Sequence, residues 1–314
     1  MVLVVKILIA EPIHEKAIQM LKDAGFQVDL EYNLSYEDLK RKVQDYQVLI
    51  VRSRMKVTSE VINAAPNLKV IGRAGVGLDN IDLESAQKRG IKVLSTPEAS
   101  SVAVAENVFA LLLSLFRKIP IADRGMKEGK WLKHELMGFE LRGKRLGIIG
   151  FGRIGREVAK RAKAFDMHIL VYDIVDVSEV ASKLGVEVAP DLPYLLRNSD
   201  IISIHVPLTP ETYHMIGKNE ISMMKDGAYL INTSRGGVID SKALFEALKS
   251  GKLAGAGLDV FESEPPKGLD AELVKLENVI ATPHISASTF EAQEMIGIVM
   301  AEKIIETFRD ESKV

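Results

Sequence analysis

Residues 146–155 read Leu146-Gly-Ile-Ile-Gly150-Phe-Gly152-Arg-Ile-Gly155, an apolar run followed at once by three glycines and then by a helical pattern over 154–165. Each glycine has a separate physical task in a strand-to-helix turn. The first permits the tight turn, the second lets the backbone approach a pyrophosphate, and the third lets the helix pack close to the strand. The helix N-terminus then offers unpaired N–H groups and the positive end of its dipole to the phosphates. The next apolar run, 168–172, ends in Asp173, near the spacing of about 20 residues expected of an acid that accepts from ribose hydroxyls. A carboxylate there repels a 2′-phosphate, and Ile174 and Val175 follow it with no arginine. NAD is therefore expected as cofactor rather than NADP.

Further short runs rich in Val and Ile continue at 201–205, 229–232, 256–260 and 279–281, with helical patterns such as 242–249 between them. Six strands with helical crossovers make a full doubly wound nucleotide domain. Upstream, a first series places strands at 4–9, 48–51, 70–71 and 91–94, separated by helices at 15–24, 57–64 and 83–88. None of these strands alternates polar with apolar, which predicts burial on both faces of a parallel sheet. The fold class expected is α/β, with two doubly wound parallel-sheet domains. The tail, 288–309, reads as one long amphipathic helix. The apolar stretch 102–116 contains Glu106 and Asn107 and is shorter than a membrane span of about 18 residues, so a buried helix is expected. At the N-terminus Lys6 interrupts the apolar run, no basic segment precedes it and Glu11-Pro12 follows. A first strand is expected there rather than a leader, and the cytoplasm is the expected location.

Composition narrows the function. The 314 residues carry 41 Lys and Arg against 43 Asp and Glu, so the net charge of −2 advertises neither nucleic acid nor an anionic membrane surface. With no cysteine, disulfides, thiolate metal sites and a cysteine nucleophile are excluded, and no metal is expected.

Three polar residues stand where the later strands end: Arg235 in Ile231-Asn-Thr-Ser-Arg-Gly-Gly237, Glu264 in Leu258-Asp-Val-Phe-Glu-Ser-Glu-Pro265, and His284 in Ala281-Thr-Pro-His-Ile-Ser286. In open α/β sheets ligands bind outside the carboxyl ends of the strands. Hydride transfer to a ketone leaves a developing alkoxide, which a protonated imidazole stabilises and protonates. A carboxylate beside the imidazole orients it and favours its charged form. An arginine fork binds a substrate carboxylate through two parallel hydrogen bonds. Singly, each residue reads more simply as a surface or loop residue; the joint pattern points to catalysis.

Taken in order, these segments resemble those of the D-isomer-specific 2-hydroxyacid dehydrogenases over essentially the whole chain. Residues 150–155, 232–237, 259–265 and 283–286 match that family's fingerprint, arginine, glutamate and histidine motifs. The resemblance implies His284 as acid/base, Glu264 as its partner and Arg235 as carboxylate anchor. It implies NAD contacts from Gly150, Gly152, Arg153, Ile154, Gly155, Asp173, Pro207, Thr212, Thr233, Ser234, Asp259 and Ala287. It also implies a Rossmann NAD-binding domain at 99–286 inserted into a smaller flavodoxin-like substrate domain of 1–98, to which 287–314 return. A homodimer through the NAD-binding domain, partly through an apolar helix and loop at 103–139, is a further implication.

Within the family, Val51-Arg-Ser-Arg-Met-Lys-Val-Thr58 and Arg73-Ala-Gly-Val-Gly-Leu-Asp-Asn-Ile-Asp82 are most similar to the phosphoglycerate-oxidising branch. They place Arg52, Ser53, Arg54, Lys56 and Arg73 beside glycine-rich turns at strand ends. The backbone of Gly75, Val76 and Gly77 can face a carboxylate there, and the cations a second anion. The expected substrate pair is 3-phosphoglycerate and 3-phosphohydroxypyruvate, in serine biosynthesis. One departure is Ser100, where that branch commonly shows asparagine. The chain also leaves no room for the C-terminal regulatory domain many of that branch carry, so feedback control of that sort is not expected. Other readings are a glyoxylate or hydroxypyruvate reductase, a D-lactate dehydrogenase, or, in a different class, an NAD-responsive corepressor-like binding protein.

Overall fold

β-Branched and leucine-rich runs too apolar to face water become strands with both faces covered, and the chain lays them into two parallel sheets. The computed structural model describes residues 4–311; the expected domain ends at 1–3 and 312–314 lie outside them. Two compact units partition the chain, one from the residues up to Ser100 together with those from Ala287, the other Ser101–Ser286.

In the first unit the strands are β1 (Lys6–Ile9), β2 (Gln27–Leu30), β3 (Val48–Val51), β4 (Val70–Arg73) and β5 (Lys92–Ser95). Their order is β2-β1-β3-β4-β5, all parallel, the flavodoxin-like arrangement. One face of the sheet presents Leu8, Leu49, Val51 and Ile71 to Leu39, Val61, Ile62 and Ala86 of the covering helices. The other presents Ile7, Ile9, Val48, Ile50 and Val70 to Ala17 and Leu21 of Glu15–Asp23 and to Ile296, Met300, Ala301 and Ile304 of Phe290–Glu311. The C-terminal helix thus completes the core of a sheet formed almost 200 residues earlier. Gly72 in β4 permits the close fit, because a Cβ there would lie 2.8 Å from Met300 Sδ.

The second unit holds β6 (Arg145–Ile149), β7 (His168–Tyr172), β8 (Glu187–Val188), β9 (Ile201–Ile204), β10 (Ala228–Asn232), β11 (Leu253–Leu258) and β12 (Val279–Ala281). All are parallel in the order β12-β11-β10-β9-β6-β7-β8. Chain order therefore reverses between β6 and β9, the switch point at whose carboxyl side such sheets bind ligands. The helices Ser101–Arg117 and Arg153–Ala164 cover one face through Val108, Leu112, Phe116, Val158 and Ala162. Leu195, Leu196, Ile221, Leu244 and Leu273 of four shorter helices cover the other.

The α/β class and the two parallel sheets stand as expected; several elements differ. A seventh strand, β8, joins the second sheet, and β2 joins the first. Both are edge strands carrying polar residues (Glu187; Gln27 and Asp29), so neither shows the apolar run by which a doubly covered strand announces itself. Strand β11 ends at Leu258, two residues early, which leaves Asp259 in the turn. The segment 103–139 contains a second helix, Ile119–Lys127, entered through Lys118 in a left-handed conformation (φ 53°). Val57 lies outside the following helix, Ser59–Ala64, and pairs instead with Ile81.

Among the described residues no helix is long and apolar enough to cross a membrane, and no group of three His, Asp or Glu side chains could hold a metal ion. Truncating the buried Ile304 to alanine should destabilise the first unit by about 2–5 kcal/mol, the usual range for a large aliphatic side chain with no room to collapse. Chemical denaturation followed by circular dichroism measures this; a change below about 0.5 kcal/mol, the surface-substitution range, would contradict the packing described.

Candidate active site

The turn after β6 is built by its glycines. Gly150 has φ +90° and its N–H donates to the Tyr172 carbonyl (2.8 Å), while a Cβ on it would lie 2.4 Å from the His205 carbonyl oxygen. A Cβ on Gly155 would lie 2.3 Å from the Gly150 carbonyl, so the helix packs directly on the turn. Gly152 caps the helix Arg153–Ala164 without a side-chain acceptor, and the space in front of its Cα is open. First-turn N–H groups thereby remain available to an anion. Asp173, one residue past β7, is tied to the same turn: Oδ2 accepts from Phe151 N (2.7 Å) and Oδ1 from Val175 N (3.2 Å).

Two further loops stand at neighbouring strand ends. After β9, Thr212 Oγ1 donates to the Pro207 carbonyl (2.7 Å) and accepts from Thr209 N (2.8 Å), closing the loop on itself. After β10, the buried Asn232 accepts from Ser234 N (3.0 Å) and Ser234 Oγ (2.8 Å) and donates to the Arg235 carbonyl (2.9 Å). The Thr233 hydroxyl between them is buried with no hydrogen-bond partner. An uncapped helix end and an open glycine after β6, with an orphaned hydroxyl after β10 on the same side of the sheet, fit a bound dinucleotide. Ala287 belongs to the other unit, where its carbonyl accepts from Gln293 Nε2 (2.7 Å).

Beyond β11 and β12 lie the histidine and the glutamate. His284 Nδ1 and Glu264 Oε2 are 2.8 Å apart, with both side chains a little over two-fifths exposed (44% and 41%). Burial works to raise the Glu264 pKa, but the hydrogen bond and charge of His284, the Phe261 amide and the charge of Arg235 together hold it below the usual carboxylate range. His284 has φ +54°, a left-handed backbone uncommon outside glycine. The buried Asp259 enforces it. Its Oδ1 accepts from Thr282 Oγ1 (2.5 Å) and Ile285 N (2.9 Å), its Oδ2 from Ser286 N (2.8 Å) and Ser286 Oγ (2.5 Å), and its carbonyl from His284 N (2.8 Å). Asn107 of Ser101–Arg117 adds a bond to Ser286 Oγ (2.7 Å). Gly236 brings the arginine loop against the glutamate loop, since a Cβ there would lie 1.9 Å from the Phe261 carbonyl carbon. Arg235 thus sits near enough for its charge to act on Glu264.

In the first unit Arg52 follows β3 and Arg73 ends the adjacent β4. The loop 52–55 hangs on Glu11, whose buried carboxylate accepts from the amides of Arg52 (2.7 Å), Arg54 (3.1 Å) and Met55 (3.1 Å). Asn80 donates to the Arg52 and Met55 carbonyls (2.8 and 2.6 Å). Each guanidinium meets a backbone carbonyl: Arg52 that of Pro12 (3.4 Å), Arg54 that of Tyr32 (2.7 Å) and Arg73 that of Ala74 (3.4 Å). Burial lowers the Arg52 pKa, with the Glu11 charge working the other way. Gly75 (φ +143°) lies under the Arg73 guanidinium with no room for a Cβ. Ser53, Arg54, Lys56 and Val76 are exposed, and Gly77 is partly so.

Sequence reading missed residues that hold these loops: Glu11, Asn80 and Asn107. The one available signal was an acid placed just past a buried strand, as Glu11 is two residues after β1.

The family described as D-isomer specific 2-hydroxyacid dehydrogenase, NAD binding domain, matches residues 109–286. The D-3-phosphoglycerate dehydrogenase of Archaeoglobus fulgidus is 51% identical over 300 residues, covering 96% of this chain and 56% of that protein. The chain therefore spans little more than half the length of that relative. The hydroxypyruvate reductase of Thermotoga maritima is 49% identical over 295 residues, covering 94% of this chain and 95% of the relative. Among solved structures, D-lactate dehydrogenase from Aquifex aeolicus complexed with NAD and lactic acid superposes with a TM-score of 0.82 at 35% identity, covering 98% of this chain and 95% of that one. The chain belongs to the D-isomer specific 2-hydroxyacid dehydrogenases, and residues 109–286 match that family's NAD binding domain.

Proposed function

We propose that the protein is an NAD-dependent dehydrogenase of D-2-hydroxy acids whose substrate pair is 3-phosphoglycerate and 3-phosphohydroxypyruvate, as in serine biosynthesis. The observation that carries the chemistry is the 2.8 Å pair of His284 and Glu264, beside Arg235 and held by a buried Asp259. Gly150, Gly152, Arg153, Ile154 and Gly155 would hold the pyrophosphate of NAD and Asp173 its ribose. Pro207, Thr212, Thr233, Ser234, Asp259 and Ala287 would make the remaining contacts. When bound, NAD supplies or accepts the hydride at C2 of the substrate.

The chain's own groups do the rest. With Nδ1 turned to Glu264, the His284 Nε2 is the atom left to give a proton to the substrate oxygen in reduction and to take it back in oxidation. Ionised Glu264 fixes the ring by holding Nδ1. Arg235 grips the substrate carboxylate with its fork, which aims C2. We assign Arg52, Ser53, Arg54, Arg73 and the backbone of Gly75, Val76 and Gly77 to the substrate, the cations taking its phosphate. We further propose a cytoplasmic homodimer formed through the NAD binding domain; the exposure of Trp131 (74%), Met137 (83%) and Phe139 (57%) in one segment supports it.

His284→Ala should lower kcat by roughly 10²–10⁴-fold, the usual contribution of a positioned acid or base. Glu264→Gln keeps the shape but removes the charge that holds the ring, so kcat should fall, and by less than in His284→Ala. The lowered Glu264 pKa gives the acid side its sign. The carboxylate remains ionised through its ordinary value of 4.5, and the pair should be lost only below that. Turnover against pH for wild type and both variants reads all three; normal turnover in His284→Ala would remove the assignment.

One observation favours a second substrate, hydroxypyruvate: the Thermotoga relative named for it matches end to end. A panel of 3-phosphohydroxypyruvate, hydroxypyruvate, glyoxylate and pyruvate with NADH separates the readings. The phosphorylated acid should lead by about tenfold or more in kcat/KM, since each charge-assisted bond to phosphate is worth about 1.5–3 kcal/mol, and Arg52→Ala should erase most of that lead. Equal efficiency on phosphorylated and plain hydroxypyruvate would transfer the assignment to the reductase.

A further inference from the structure

A second histidine–glutamate pair lies on the same loops as the first. His214 Nε2 and Glu262 Oε2 are 2.9 Å apart, their side chains about one-third exposed (32% and 28%). Glu262 precedes Glu264 by two residues, and His214 follows Thr212 by two. Like His284, His214 has a left-handed backbone, with φ +53°. Its ring is stacked on Tyr213 (centroids 3.9 Å apart, planes at 15°), so one face is covered.

The pair stands where three loops meet. The His214 amide donates to the Gly237 carbonyl (2.8 Å), two residues past Arg235. Ile216 then pairs with Ile239 as a short parallel bridge, its amide on the Val238 carbonyl (3.1 Å). Glu262 Oε1 accepts from Ser241 N (2.9 Å), at the start of the helix that follows the arginine loop. Next along the chain, Ser263 N and Oγ both donate to the buried Asp270 (2.8 and 2.9 Å), which also accepts from Ser241 Oγ (2.7 Å). Residues 262 and 263 are thus both fastened to Ser241 immediately before Glu264 projects. Burial works to raise the Glu262 pKa, but the His214 bond and the Ser241 amide and hydroxyl hold it below the usual carboxylate range.

We infer that Glu262 and His214 are positioning residues that lock the 207–217 loop, the arginine loop and the Glu264 loop into one register, so that coenzyme binding and the orientation of the His284 ring are coupled. This rests on the dehydrogenase reading above. A carboxylate that only closed a surface ion pair would contribute little. Glu262 instead accepts from two loops at once, and the third is its own. Loss of either partner removes the side-chain tie between the 207–217 loop and the Glu264 loop and leaves each held only by its remaining bonds. The pair acts through its neighbours on these loops, Thr212, Arg235 and Glu264, to which coenzyme and substrate roles are assigned above.

The test is a double-mutant cycle of Glu262→Gln and His214→Asn in the full chain, asparagine being chosen because it tolerates the left-handed backbone. NADH affinity is read by fluorescence titration without substrate, kcat by NADH oxidation at saturation with the best 2-keto acid, and Tm alongside. Each single variant should weaken NADH binding and lower kcat by about three- to thirtyfold, and the double variant should be no worse than either single one. Wild-type values of NADH affinity and kcat in both singles, whatever happens to Tm, would overturn the inference by leaving the pair a merely structural contact. Additive losses would overturn it too, because the residues would then act independently. Wild-type protein that neither binds NADH nor reduces any of the acids would remove the dehydrogenase reading and the inference with it, a failure visible before any variant is made.

Discussion

The Asp259 carboxylate is the constraint on which the rest of the site depends. It is fully buried, and its two oxygens take four donors from a single short segment, Thr282 to Ser286. Left unpaired, such a group would cost several kcal/mol in an apolar surrounding. Fully satisfied, it converts a loop into a fixed object. The left-handed conformation of His284 follows from this. A backbone state that costs of order 1–3 kcal/mol persists only where its surroundings over-determine it, and Asp259 grips the chain on both sides of the histidine. From that fixed Cα the imidazole reaches Glu264, whose own loop is pressed against the arginine loop because Gly236 lacks a Cβ.

The same device recurs in the first unit. Glu11 follows β1 as Asp259 follows β11, and its carboxylate gathers the amides of Arg52, Arg54 and Met55. The common cause lies in the parallel sheet. Its strands all end on the same side, so several loops crowd there with N–H groups that have lost their ladder partners. An acid placed just past a neighbouring strand satisfies several of them at once. Loops held in this way carry polar side chains at fixed positions on a rigid scaffold, as a site for a small charged substrate requires.

How much of this the sequence showed depended on separation along the chain. The fingerprint was legible because strand, glycines, helix and Asp173 fall within 28 residues, and each glycine's task is local. Arg235, Glu264 and His284 were legible as strand-end residues once the strands were placed, although what holds them was not. The bonds of Glu11 cross 41 to 44 positions, and that between His214 and Glu262 crosses 48. No periodicity reports such pairs. Glu11 entered the sequence reading only as a charge that ended an apolar run, and Glu262 as one acid among several before a proline. Strands β2 and β8 were missed for a different reason: an edge strand faces water along one side and need not be apolar.

The division between legible and hidden residues has a physical basis. Groups that meet a ligand are fixed by the ligand's chemistry, so their types are constrained: a fork for a carboxylate, an imidazole for a proton, glycine for a pyrophosphate. Groups that hold those groups are fixed only by geometry, and any acceptor of the right reach would serve. Asp259 shows where the two kinds merge. It was expected among the coenzyme contacts, yet each of its oxygens already accepts from two donors of the His284 loop. Any coenzyme group that met it would have to share acceptors that already fix the histidine. In that arrangement any ligand that reached Asp259 would bear on the same two oxygen atoms that place His284.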